Sequence, residues 1–214
     1  YAKSADVTVI GVDYPLAPEA KYPIALNRIE ALMLWMTDNA YKWGIDPNRI
    51  AMGGDSAGAN LAFATCLRLR NHNKLSSIRA ILSNYGGFSS KISDDAETRF
   101  GGPGSIMDRA EALQYWTNYL RDDTDEKDPY ACPLLADLTG FPPVLLVVAE
   151  LDIVAEHSQA MHERLRDFGV DSNCVVYKRT VHSFLEAMSI STLAQTAIEE
   201  SADFIANHLK RHEN

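Results

Sequence analysis

Ser56 stands between two glycines, in Gly54-Asp55-Ser56-Ala57-Gly58, directly after the run Arg49-Ile50-Ala51-Met52-Gly53 and directly before a long helical pattern. A serine hydroxyl becomes a nucleophile only when a neighbouring base takes its proton, and that base must be held in one tautomer. Glycines two residues either side of a serine suit a strand-to-helix reversal so tight that side chains there would clash. The following helix would aim its free N–H groups and positive dipole end at the same point. The plainer reading is a serine N-cap, which accepts a bond from those N–H groups. Two further residues bear on the choice. Asp152 lies just past the apolar run 143–148, and His182 lies just past Cys174-Val175-Val176-Tyr177. Asp152 could cap the helix after it, and a carboxylate can fill both roles. Of the other histidines, His72, His208 and His212 fall at helix ends, while His157 and His162 lie on the helix after Asp152. Ser, Asp and His, in that order and each at a strand end, favour a nucleophile–acid–base triad over three unrelated caps.

The elements that must position these residues follow from apolar spacing. The β-branched run 7–12 reads as a buried strand stopped by Pro15, and 49–53, 78–83, 143–148 and 174–177 read as four more. Ala25, Ile29, Leu32, Met33, Met36 and Ala40 follow helical spacing and predict a helix over 24–41. Further helices follow Ser56 to Arg70, follow Asp152 with Val154, His157, Met161, Leu165 and Phe168 on one face, and close the chain with Ala194, Ala197, Ile198, Ile205 and Leu209. Strands alternating with helices of this length predict an α/β fold, a mostly parallel sheet with helices on both faces. In such a sheet the functional loops lie at the carboxyl ends of the strands, which places Ser56, Asp152 and His182 together. Residues 86–140 are too long for a plain connection and read as an insertion. It holds one clear helix from Asp108 to 121, with Glu111 completing a capping box.

With 214 residues, 46% of them hydrophobic and 23% charged, the chain suffices for one sizeable domain, taken as 1–214. A net charge of −9 argues against nucleic acid and against an anionic membrane surface, since both need clustered Lys and Arg. No apolar run is long enough to span a bilayer. Cys66, Cys132 and Cys174 are odd in number and lack C-x-x-C spacing, which predicts apolar packing in a reducing, cytoplasmic compartment rather than a disulfide frame or zinc site.

At these residues the sequence resembles the hormone-sensitive-lipase-like branch of the α/β-hydrolases, especially the bacterial acetyl esterases, over almost its whole length. Gly54-Asp55-Ser56-Ala57-Gly58 matches the family's nucleophile elbow G-D-S-A-G at every position. Tyr14-Pro15-Leu16-Ala17-Pro18-Glu19 resembles Y-R-L-A-P-E, with Pro15 in place of Arg. Glu150-Leu151-Asp152-Ile153-Val154 is similar to the segment bearing the acid, with Ile153 where Pro is usual, and His182-Ser183-Phe184 resembles H-G-F or H-A-F. Asp128-Pro129-Tyr130-Ala131-Cys132-Pro133-Leu134 is similar to the acetyl-esterase group.

The resemblance implies the α/β-hydrolase fold and hydrolysis of small acyl esters through an acyl-enzyme. Ser56 would attack, His182 would serve as base and then acid, Asp152 would orient His182, and the Ala57 N–H would be one oxyanion donor. Neither cofactor nor metal is implied. The partner is a small-molecule ester; family members pair through edge strands or late helices, so a homodimer stays open. The insertion 86–140 would be a partial lid, with Phe88, Phe100, Tyr115, Trp116 and Tyr119 either walling an acyl pocket or packing down on the sheet. The family's H-G-G-G motif, which supplies the other oxyanion donors, is missing ahead of Tyr14. The expectation is therefore an amino-terminally truncated fragment, or a natural short form, lacking the first strands and feeble or inert. Two other readings share the fold: a catalytically dead ligand-binding homologue, and an amidase using the same triad.

Overall fold

The computed structural model describes residues 1–102 and 104–210. Its centre is a four-stranded parallel sheet, β1 (Ile50–Asp55), β2 (Ile78–Asn84), β3 (Val144–Leu151) and β4 (Ser172–Val181), in the order β1-β2-β3-β4. The helices are α1 (Ala2–Ala5), α2 (Ile24–Asn39), α3 (Ala57–Asn71), α4 (Asp94–Phe100), α5 (Arg109–Tyr119), α6 (Ala155–Asp167) and α7 (Thr192–Leu209). Alternate strand residues supply two separate cores, as the period-2 geometry of a strand requires. Ile81 and Leu146 pack with Leu26 and Met33 of α2, Phe63 and Leu69 of α3, and Met161 and Leu165 of α6. Leu82, Leu145 and Val147 pack on the other face with Ala5 of α1 and Ala194, Ala197, Ile198 and Ile205 of α7. Both faces of β2 and β3 are thus apolar, which is why these strands read as continuous hydrophobic runs. Among the described residues no helix is long and apolar enough to cross a membrane.

The run 7–12 is not a strand. Val9 is 56% exposed and Ile10 47% exposed, and no described strand pairs with the outer edge of β1. A β-branched segment acquires strand structure only by pairing, and here it has no ladder to join. The other boundaries move by a few residues. The helix predicted over 24–41 gives way at Ala40 to a 3-10 turn, Ala40–Trp43, closed by Gly44 at a left-handed φ of 68°. The strand predicted over 174–177 extends to Ser172–Val181.

The insertion holds a helix that the sequence reading did not separate, α4, capped by Ser93, whose Oγ accepts the Ala96 N–H at 3.0 Å. In α5 the Asp108 carboxylate accepts the Glu111 N–H at 2.9 Å, but the Glu111 carboxylate accepts the Tyr115 hydroxyl instead of reaching back. Half of the expected capping box forms. Phe88 is fully buried against Phe63, ring centroids 4.9 Å apart, so it belongs to the core and walls no pocket. Trp116 and Tyr119 pack against the same core, and Tyr115 points outward. The packing reading therefore holds for three of these five rings, Phe88, Trp116 and Tyr119.

His157 ties the start of the insertion to α6. Its Nδ1 accepts the Phe88 N–H at 3.3 Å and its Nε2–H donates to the Lys91 carbonyl at 2.8 Å. The ring is 3% exposed, and burial holds its pKa below the ordinary 6.5. The unfolded chain therefore binds a proton that the native chain resists, so stability falls as pH drops below that ordinary value. Denaturant titrations from pH 7 to 5 should show this loss, approaching about 1.4 kcal/mol per pH unit for the one group. His157→Gln should start less stable, by about 1–3 kcal/mol, and lose that part of the pH slope.

Candidate active site

Three strand ends converge. β1 runs into α3 through Ser56, which adopts φ 53° and ψ −111°, a conformation rare outside glycine and worth about 1–3 kcal/mol of strain. Two features hold it there. The Ser56 N–H donates to the Asn84 carbonyl at the end of β2, at 2.9 Å. Gly54 lies against Gly58 so closely that an added Cβ would sit 2.4 Å from the Gly58 carbonyl carbon. The reciprocal demand is absent: a Cβ at Gly58 meets nothing within 4 Å. Of the two elbow glycines, only Gly54 is required by steric contact among the described residues, which corrects the symmetrical expectation.

Ser56 occupies the N-cap position of α3 without capping it. Its hydroxyl donates instead to His182 Nε2, at 2.9 Å. His182 Nδ1–H donates in turn to Asp152 Oδ2, at 2.7 Å. Asp152 does fill both roles weighed for it, because Oδ1 accepts the Val154 N–H at 3.0 Å as the chain turns into α6. The Asp152 side chain is 1% exposed and that of His182 11%, so the carboxylate is shielded while a small part of the imidazole stays accessible. A buried carboxylate with each oxygen bonded avoids the penalty of an unpaired charge.

The His182 loop is aimed by an irregularity in the sheet. Pairing of β3 with β4 shifts register between Ala149 and Leu151. There the Glu150 carboxylate accepts the Arg179 N–H at 2.8 Å and pairs with Lys178 Nζ at 2.7 Å. Arg179 takes a left-handed φ of 61°, and Lys178 holds the Glu150 carboxyl below its usual range. Glu150 thus stands in for a ladder partner and turns the end of β4 over the elbow. In the sequence Glu150 stands only as the first residue of the segment Glu150–Val154, with no role of its own, since a glutamate beside Asp152 reads as surface charge.

The Ala57 N–H, at the start of α3, makes no hydrogen bond with any described residue and points from the positive end of the helix. Asp55 accepts the Asn84 side-chain amide at 2.8 Å and the Tyr85 hydroxyl at 2.7 Å. Beside His182 and Asp152 opens a cleft of about 220 Å³, walled by Phe100, Ile106 and Met107 from the insertion and by Leu151 and Val181. Phe100 is the one ring of the five considered that lines it. His72, His157, His162 and His208 lie apart from the centre with partners of their own, and His212 falls outside the described residues. Among the described residues no group of three or more His, Cys, Asp and Glu side chains could hold a metal ion.

Comparison with known proteins gives a consistent set. A family model described as alpha/beta hydrolase fold matches residues 1–186. An acetyl esterase of Salmonella paratyphi A is 33% identical over 212 residues, covering 98% of this chain and 65% of that protein. The Salmonella typhi acetyl esterase matches at the same identity and coverage. The chain therefore spans slightly less than two thirds of these curated relatives. Among solved structures, a thermostable carboxylesterase cloned from a metagenomic library superposes with a TM-score of 0.93 at 28% identity, over 98% of this chain and 72% of that one. An esterase of Pyrobaculum calidifontis gives 0.90 at 30% identity, over 96% and 67%.

The unequal glycines make a mutational prediction. Gly54→Ala must force the elbow open and should lower stability by roughly 2–4 kcal/mol, as overpacking against backbone does. Gly58→Ala meets open space in the first turn of a helix and should raise stability by up to about 1 kcal/mol. Chemical denaturation of both variants beside the wild type checks the opposite signs.

Proposed function

This chain belongs to the alpha/beta hydrolase fold family, and on that premise we propose that it carries the reacting centre of a serine carboxylesterase for short acyl esters. Ser56, His182 and Asp152 are the proposed catalytic residues. The observation that carries the reading is the unbroken hydrogen-bond chain from Ser56 Oγ through His182 to the buried Asp152. Its relatives, named as acetyl esterases and carboxylesterases, support the substrate class.

In this reading His182 Nε2 takes the Ser56 proton as Oγ bonds to the ester carbonyl carbon. The imidazolium that forms is stabilised by Asp152, whose bond to Nδ1 has already fixed the tautomer. Negative charge gathers on the former carbonyl oxygen, where the Ala57 N–H and the dipole of α3 would meet it. Collapse breaks the bond to the alkoxy oxygen, which leaves as the alcohol with the proton from His182. Water then adds to the acyl-enzyme by the reverse proton path, releasing the carboxylic acid and free Ser56. Residues 86–140 are read as a partial lid, on the ground that Phe100, Ile106 and Met107 wall the cleft beside His182.

Hydrolysis of p-nitrophenyl esters of increasing acyl length tests the proposal. Acetate and butyrate should turn over above background and octanoate much less. Ser56→Ala should abolish the difference while leaving the fold intact, and the matching anilide should resist hydrolysis. Equal rates for wild type and Ser56→Ala would overturn it. Faster cleavage of the anilide would favour an amidase.

A further inference from the structure

The last residue of β2 and the one after it touch both halves of the reacting centre. On the Ser56 side, the Asn84 carbonyl accepts the Ser56 N–H at 2.9 Å, and the Asn84 amide donates to Asp55 Oδ1 at 2.8 Å. On the His182 side, the Tyr85 ring packs against the imidazole with centroids 5.1 Å apart, and against Phe184 at 6.0 Å. The Tyr85 hydroxyl then crosses back, donating to Asp55 Oδ2 at 2.7 Å.

Tyr85 is held firmly. It is 1% exposed, its N–H donates to the Val147 carbonyl at 2.7 Å, and it adopts a left-handed φ of 39°. A bulky residue takes that conformation only where its surroundings over-determine it, and such strain gathers at functional sites. Burial raises its hydroxyl pKa, with the Asp55 charge adding to the shift, so it remains a donor wherever His182 could act as a base.

Resting on the reading of Ser56 and His182 as nucleophile and base, we infer that Tyr85 and Asp55 are a positioning pair that sets the distance and angle between them. Asp55 is fixed to the residue before the nucleophile, and Tyr85 is the wall on which the base leans. The hydroxyl–carboxylate bond joins them into one strut, independent of the Asp152 bond that orients His182 from its other nitrogen. Neither residue touches the reacting atoms. The strut acts by preventing the small misplacements to which proton transfer between Ser56 and His182 is sensitive.

The test is the rate at which a fluorophosphonate labels Ser56, read by intact mass across pH, for wild type, Tyr85→Phe, Asp55→Asn and the double variant. Tyr85→Phe removes one oxygen and keeps the ring; Asp55→Asn weakens the same bond from the exposed side and answers the question should Tyr85→Phe fail to fold. Each variant should label about tenfold or more slowly, and the double variant no slower than the worse single one. The acid limb should also move. Asp152 is the charged group bonded to His182 and Asp55 the one behind Tyr85; a slackened ring loosens the Asp152 bond, so the midpoint should move down in Tyr85→Phe, which alters no charge. A merely structural loss would lower the amount labelled and leave the midpoint in place, and that result would overturn the inference. So would wild-type rates and midpoint in both single variants. A folded wild type that takes no label would instead overturn the reading of Ser56 as a nucleophile, and the strut with it.

Discussion

A carboxylate almost wholly removed from water must have both oxygens occupied, and the geometry around Asp152 is organised by that requirement. One oxygen is met by the turn into α6, through the Val154 N–H. The other is left for His182 Nδ1–H, which fixes the imidazole tautomer. With the proton on Nδ1, Nε2 is an acceptor, and the only way for Ser56 to meet it is by donating its hydroxyl proton. A proton acceptor is therefore aimed at a hydroxyl by the fold alone. Exchanging Asp152 for a side chain without that demand would leave the ring free to take the other tautomer.

The sheet supplies what the carboxylate cannot, namely three chain segments ending at one edge. Parallel strands deliver their carboxyl ends together, and Ser56, Asp152 and His182 each stand on the first residue beyond a strand. Local distortions then do the aiming. Ser56 is lifted by a strained backbone that Gly54 permits, and His182 is brought over it by the register shift at Glu150. Each distortion is bonded to one of the two central strands, Ser56 through its N–H to the Asn84 carbonyl of β2 and Arg179 through its N–H to the Glu150 carboxylate of β3.

Much of this was legible in the residues. The strands β1 to β4 announced themselves as apolar runs, and Ser56, Asp152 and His182 were singled out by standing at strand ends. What escaped the sequence was pairwise and long-range. The run 7–12 has strand composition, but composition cannot supply a neighbour, and the segment lies exposed and unpaired. Gly54 and Gly58 look equivalent in G-x-S-x-G, yet only one is pressed against backbone. Tyr85 carries no motif, and Glu150 only opens the segment that holds Asp152; their roles arise from bonds to Asp55 and Arg179, far along the chain. The helix α4 left a local signal in Ser93 followed by Asp94, Asp95 and Glu97, a capping residue ahead of acidic side chains, and could have been read from it.

The nitrogen-15 and attached-proton resonances of the His182 ring near neutral pH report its tautomer, on which the contact with Ser56 turns. A proton on Nδ1 and a bare Nε2 are expected. That pattern should persist in Ser56→Ala, where only the donor to Nε2 is lost, and should reverse in Asp152→Asn. A wild-type ring protonated mainly on Nε2 would rule this arrangement out, because Nε2 could then take no proton from Ser56.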